Sequence, residues 1–151
     1  MKLFLMRHGE ASMDALTDDQ RPLTDLGMQQ SSDMGKLLAK QNIDLVLVSP
    51  YLRAQQTWDC MAPYFDPPLE AHTVPDLKPS AVVDETALVI EHYAKVNQAQ
   101  HVLVVSHMPL ISALVCEFAP MFSPLSFVTA SVAELNNWEV GKATELYFFA
   151  P

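Results

Sequence analysis

A chain of 151 residues has the length of one domain, and a chain of this size buries roughly 70% of its unfolded surface without needing staples. Half of its residues are apolar and 18% are charged, which argues for a globular protein and against disorder. Nine basic side chains stand against 18 acidic ones, a net charge of −9. No cluster of Lys and Arg exists for a nucleic acid, and no apolar run is long enough to span a membrane.

Residues 3–6 predict a short buried strand and are too few for a signal-peptide core. Thr24 is a candidate N-cap for a helix carrying Leu26, Met34, Leu37 and Leu38, up to about Gln41. Residues 43–48 predict a second strand. It is apolar on both faces, as in a parallel sheet covered on both sides. Ser49 reads as an N-cap with Pro50 at the first helical position. That helix would carry Leu52, Trp58 and Met61 and end at Pro63. Within the proline-rich stretch 63–79, residues 71–74 form a brief strand. Ser80 would cap a helix with Val82, Val83, Leu88, Val89, Tyr93 and Val96. Residues 101–105 predict a third buried strand. Pro109 opens a helix with Leu110, Ile111, Leu114, Val115 and Phe118 inward and Pro120 as its stop. Residues 126–135 and 143–149 read as an antiparallel strand pair, with turn chemistry at Asn136, Asn137 and Gly141.

Strand and helix alternate, with no repeat and no domain boundary. The expected fold is α/β, a three-layer sandwich with a mainly parallel central sheet flanked by helices and antiparallel strands at the C-terminus. The expected organisation is a single domain over residues 1–151.

Two cysteines, Cys60 and Cys116, lie far apart. They read as unpaired thiols of a reducing cytoplasm. No C-x-x-C, H-E-x-x-H or Cys/His cluster signals a metal. The four glycines write neither a dinucleotide nor a P-loop fingerprint. No cofactor is expected, and nothing calls for more than a monomer.

In open α/β sheets, ligands bind beyond the carboxyl ends of the strands. Arg7, His8, Gly9 and Glu10 follow the first strand. Ser49 to Arg53 follow the second, and Ser106 and His107 the third. Two histidines and two of only three arginines therefore share one sheet edge. Guanidinium groups bind phosphate bidentately and keep their charge. An imidazole is a competent nucleophile toward phosphorus when its other nitrogen is held by a hydrogen bond. Gly9 lets the chain turn and bring a carbonyl to His8. Arg7 and Arg53 would stabilise the charge on the transferring group, and a protonated His107 would be a third donor.

Leu-Met-Arg-His-Gly-Glu (5–10) resembles the R-H-G signature of the histidine phosphatase, or phosphoglycerate mutase-like, superfamily. Arg21-Pro22-Leu23-Thr24 with Gly27 resembles its R-x-L-[ST]-x-x-G segment. Residues 49–57 resemble its S-x-x-x-R-A-x-x-T segment, and Val105-Ser106-His107 its late histidine segment. The short chain and its Ser-His-Met-Pro-Leu run look most like the SixA-type phosphohistidine phosphatases.

The resemblance implies a phosphoglycerate mutase-like fold and a metal-independent phosphatase. It implies His8 as the phosphorylated nucleophile and Arg7, Arg53 and His107 as its phosphate pocket. Arg21, Gly9 and Ser106 would lie on the substrate. The implied substrate is phosphohistidine on a signalling or phosphotransfer protein. Small phosphomonoesters, or a mutase reaction, would use the same site, and a non-catalytic phosphoprotein-binding module is the reading from another class.

Larger family members place a carboxylic acid at the leaving group. Asp76, or Asp18 or Asp19 before Arg21, is the candidate here. An ester gains 10²–10⁴-fold from such an acid. A phosphohistidine leaves as an imidazole and needs one less.

Overall fold

The structure, a computed structural model, describes all residues 1–151. Its strands are β1 (Lys2–Arg7), β2 (Leu45–Val48), β3 (Ala71–Thr73), β4 (His101–Ser106), β5 (Val132–Asn136) and β6 (Glu145–Phe149). They form one sheet in the order β3-β2-β4-β1-β5-β6. The four strands from β3 to β1 run parallel, β5 is antiparallel to β1, and β6 to β5. The helices are α1 (Asp25–Leu38), α2 (Leu52–Met61), α3 (Val83–Val96) and α4 (Leu110–Phe118). The expected three-layer α/β sandwich is the fold observed.

Alternation along each strand builds two cores. Phe4, Met6, Val46, Val48, Leu103 and Val105 face Met34 and Leu38 of α1 and Trp58 and Met61 of α2. Leu3, Leu5, Leu45, Leu47, Val102 and Val104 face Ile90 of α3 and Leu110, Leu114 and Phe118 of α4. This two-sided burial is why β2 and β4 read as continuous apolar runs.

Helix α4 buries the five residues expected of it. The expected faces of α1 and α3 need correction. Leu26 and Leu37 are exposed, and the buried face of α1 is Gly27, Ser31, Met34, Gly35 and Leu38. A Cβ on Gly35 would lie 2.8 Å from the Met61 Cα. Small residues let α1 and α2 approach closely, and a search for large apolar residues passes over them. On α3, Val82, Leu88 and Val96 are exposed, while Thr86, Ala87, Ile90 and Ala94 are buried.

Two expected caps are also corrected. Thr24 does cap α1, accepting the Gly27 N–H at 3.0 Å. Neither Ser80 nor Ser49 caps a helix. The N-caps are Val82 and Tyr51, without side-chain bonds. Residues 126–131 are not part of β5 but return toward the end of β1, where Ala130 N–H donates to the His8 carbonyl.

Candidate active site

Parallel register brings three strand ends together. Arg7 pairs with Ser106, and Val48 with Val105. The next residues, His8, Ser49 and His107, therefore emerge side by side. β1 leads to α1 on one face of the sheet, and its neighbour β4 leads to α4 on the other. Chain direction switches between them, and such a point opens a crevice at the carboxyl edge. The His8 and His107 ring centroids are 5.0 Å apart there.

His8 is buried, with 6% of its surface exposed. Its Nδ1 lies 2.7 Å from the Gly9 carbonyl. A carbonyl only accepts, so Nδ1 carries the proton. Arg53 Nε–H donates to His8 Nε2 at 3.2 Å. A guanidinium only donates, so Nε2 carries the lone pair. Burial, with Arg53, Arg7 and Arg21 nearby, pulls the His8 pKa down to about 4 against the opposing Gly9 bond. The ring is neutral at pH 7, with one nitrogen ready to attack.

The turn that holds this carbonyl is tightly built. Gly9 N–H donates to Thr57 Oγ1 at 3.0 Å, and Thr57 Oγ1–H donates to the Arg53 carbonyl at 2.7 Å. A Cβ on Gly9 would sit 2.5 Å from the Gly27 carbonyl oxygen. One on Gly27 would sit 2.0 Å from the Glu10 carbonyl oxygen. The two glycines let the loop after β1 lie on α1. Gly9 thus shapes the turn and offers its carbonyl to His8.

Arg53 is 4% exposed. Beyond its bond to His8, it donates to the Asp18 carbonyl at 2.6 Å and to Asp18 Oδ2 at 3.1 Å. Arg21 donates to Asp18 Oδ1 at 3.1 Å and to the Ser12 carbonyl at 2.8 Å. One carboxylate thus joins two of the three arginines. Partial desolvation raises the Asp18 pKa, but bonds from Arg21 and Arg53 outweigh it and hold the group below the usual carboxylate range.

Arg7 donates to the Phe127 carbonyl at 2.7 Å. Its Nε is buried without a hydrogen-bond partner in the protein, and so is His107 Nδ1. His107 is 1% exposed, with Nε2 2.7 Å from Ser49 Oγ. Burial first, then the charges of His8 and Arg53, push its pKa down to about 2. That keeps the ring neutral at pH 7, so the condition under which the sequence made His107 a third donor, a protonated ring, is not met there.

Ser106 is also corrected. Its hydroxyl donates to the Leu77 carbonyl at 2.8 Å in a fully buried position. It ties strand β4 to the loop after β3 and has no free proton for a substrate. Asp76 lies in that same loop, half-buried, its carbonyl accepting Thr86 Oγ1–H at 2.8 Å. His72 and His92 are exposed and His101 half-buried, all outside the site. No three His, Cys, Asp or Glu side chains converge as a metal site.

Three contributors escaped sequence reasoning. Thr57 stands one helical turn after Arg53 on α2, a spacing that puts the two on one helix face, whereas Ser49 lies between β2 and α2; in the sequence both figure only as members of the segment 49–57, and Ser49 as a candidate cap. The Phe127 carbonyl is a backbone group and leaves no trace in the sequence.

A buried imidazole with its lone pair on Nε2, three guanidinium groups and two buried nitrogens without protein partners suit a phosphoryl group. The surface cavities, up to about 490 Å³, are lined by residues elsewhere.

A family model, Histidine phosphatase superfamily (branch 1), matches residues 3–80. Phosphohistidine phosphatase SixA of Escherichia coli is 36% identical, covering all of this chain and 94% of the relative. A phosphohistidine phosphatase SixA homolog of Haemophilus influenzae is 33% identical, covering 95% of this chain and 92% of the relative. The solved structure of the protein histidine phosphatase SixA complexed with tungstate superposes with a TM-score of 0.91 at 36% identity, covering 99% and 97% of the two chains.

Proposed function

The chain belongs to the histidine phosphatase superfamily, branch 1, and from that premise we propose that it removes the phosphoryl group from phosphohistidine on a protein, through a phosphorylated His8. The observation that carries this reading is the state of His8. Its proton is held on Nδ1 by Gly9 and its lone pair lies on Nε2.

In the first step the Nε2 lone pair of His8 attacks phosphorus. The substrate P–N bond breaks, and the substrate imidazole, which enters protonated on its other nitrogen, leaves neutral with the bonding pair. As Nε2 becomes bonded to phosphorus, Arg53 Nε–H turns from the ring to a phosphoryl oxygen. Arg7 and His107 bring their partnerless nitrogens to the other oxygens. Water then attacks phospho-His8. Phosphate departs, Nε2 regains its lone pair, and Nδ1 keeps its proton throughout. The arginines oppose the charge spread over the equatorial oxygens.

Two features favour phosphohistidine over an ester. Asp18, ion-paired with two arginines, is held ionised and has no proton to give at neutral pH, so its role is to set Arg21 and Arg53. The loops after β1 and β3 also carry only single-turn helices and no inserted lid domain, which suits a phosphoryl group presented on a protein surface. A mutase must hold the group away from water in a more enclosed pocket. We assign the enzyme to the cytoplasm, where thiols such as Cys60 and Cys116 stay reduced.

The test is phosphate release, in EDTA, from a histidine-phosphorylated phosphotransfer domain and from phosphoserine at matched concentration. The expected result is much faster release from the P–N substrate, with acid-labile phosphate trapped on His8. Faster release from the ester overturns the substrate assignment.

A further inference from the structure

Ser49 is fully buried at the end of β2, and its Oγ lies 2.7 Å from His107 Nε2. The serine hydroxyl has one proton to place. The Tyr51 amide also approaches Oγ, at 3.3 Å, but it is itself a donor. The Ser49 carbonyl accepts from Gln55 and takes no part. The acceptor left for the hydroxyl proton is His107 Nε2.

This matters because a neutral imidazole has two forms with opposite uses. With its proton on Nε2, His107 would donate to Ser49, the serine proton would lack a protein acceptor, and Nδ1 would present a bare lone pair. A lone pair repels an anion. With its proton on Nδ1, Nε2 accepts from Ser49, the serine proton is placed, and Nδ1 presents a donor for an incoming anion. Nδ1 is the nitrogen without a partner in the protein.

We propose that Ser49 is a positioning residue that fixes His107 as its Nδ1–H tautomer, so that a neutral histidine donates to the phosphoryl group. Its consequence for turnover rests on the phosphatase reading above, but the tautomer does not. Ser49 acts through His107, and the anion is bound without a charge on the ring. The local cap pattern Ser-Pro hides this, because the partner of Ser49 is 58 residues away.

The test is the ring ¹⁵N spectrum of His107 at pH 7 in the wild type, in Ser49→Ala and in Ser49→Thr, with circular dichroism to establish folding. Inorganic phosphate binding is titrated in the same samples. The wild type should show a protonated Nδ1 and an unprotonated Nε2. Ser49→Ala should lose that preference and bind phosphate roughly 10- to 100-fold more weakly, the range for a hydrogen bond to a charged group. Ser49→Thr keeps the hydroxyl and should retain the wild-type tautomer. A wild-type His107 protonated on Nε2, or on both nitrogens, overturns the proposal. So does a folded Ser49→Ala with unchanged spectrum and phosphate affinity. If Ser49→Ala does not fold, the wild-type spectrum alone decides. None of these readouts uses a phosphorylated substrate, so a failure of the substrate assignment leaves a separate trace.

Discussion

His8 and Asp76 represent the two halves of the chemistry at the residue scale, attack and departure. For attack, the pKa of His8 near 4 keeps its lone pair available well below neutrality, where an ordinary histidine is charged. For departure, an alkoxide needs a proton from the enzyme, whereas an imidazole that enters already protonated on its other nitrogen does not. Asp76 remains the carboxyl group to test, because the Ser106–Leu77 bond ties its loop to the end of β4, which His107 follows. An Asp76→Ala variant should leave P–N hydrolysis within a few fold of wild type, measured as phosphate release from a phosphorylated phosphotransfer domain. A hundredfold loss on both P–N and ester substrates would make Asp76 a general acid and undo the argument from leaving-group chemistry. Arg7, His8, Arg53 and His107 were legible as candidates in the sequence because each ends or closely follows a strand, and charge is scarce at such positions. Ser49 could not be placed, because its Ser-Pro pattern fits a cap and only the folded sheet brings His107 to it.

At the scale of elements, the nucleophile depends on how closely the loop after β1 lies on α1. Gly27 sits on the first turn of α1, and any Cβ there would meet the Glu10 backbone at 2.0 Å. Backbone atoms cannot turn aside as a flexible side chain can. A Gly27→Ala substitution should therefore push residues 8–10 off α1 and move the Gly9 carbonyl that orients His8. The expected cost is about 1–3 kcal/mol, typical of overpacking, with a larger proportional loss in His8 phosphorylation. Urea unfolding and single-turnover labelling measure the two, and a stable variant with normal labelling would contradict the close-packing argument. The same geometry explains which helices could be read in advance. Large apolar residues mark the buried face of α4, whereas α1 buries Gly27, Ser31 and Gly35 and α3 buries Thr86 and Ala87. Close approach selects small residues, and a hydrophobic pattern does not register them.

At the scale of the whole molecule, keeping two buried histidines neutral makes stability depend on pH. In the unfolded chain both titrate near 6.5; in the folded protein they titrate at about 4 for His8 and about 2 for His107. Between these values the unfolded chain binds more protons, so acid favours unfolding. Above pH 6.5 neither histidine contributes a penalty. The His8 contribution is lost as pH falls from 6.5 to about 4, and that of His107 continues to fall toward about 2. Each histidine costs about 1.4 kcal/mol per pH unit across its window. Between pH 6.5 and 4.5 the pair costs on the order of 5 kcal/mol, as much as the whole stability of many domains. Urea midpoints at pH 7.5, 6.5, 5.5 and 4.5 should drop steeply below 6.5 in the wild type. A His8→Asn/His107→Asn double variant should show a much shallower fall over the same range, since asparagine takes up no proton. Equal slopes in the two proteins would mean that the folded histidines take up protons as readily as the unfolded ones, and burial would no longer account for a His8 lone pair available well below neutrality.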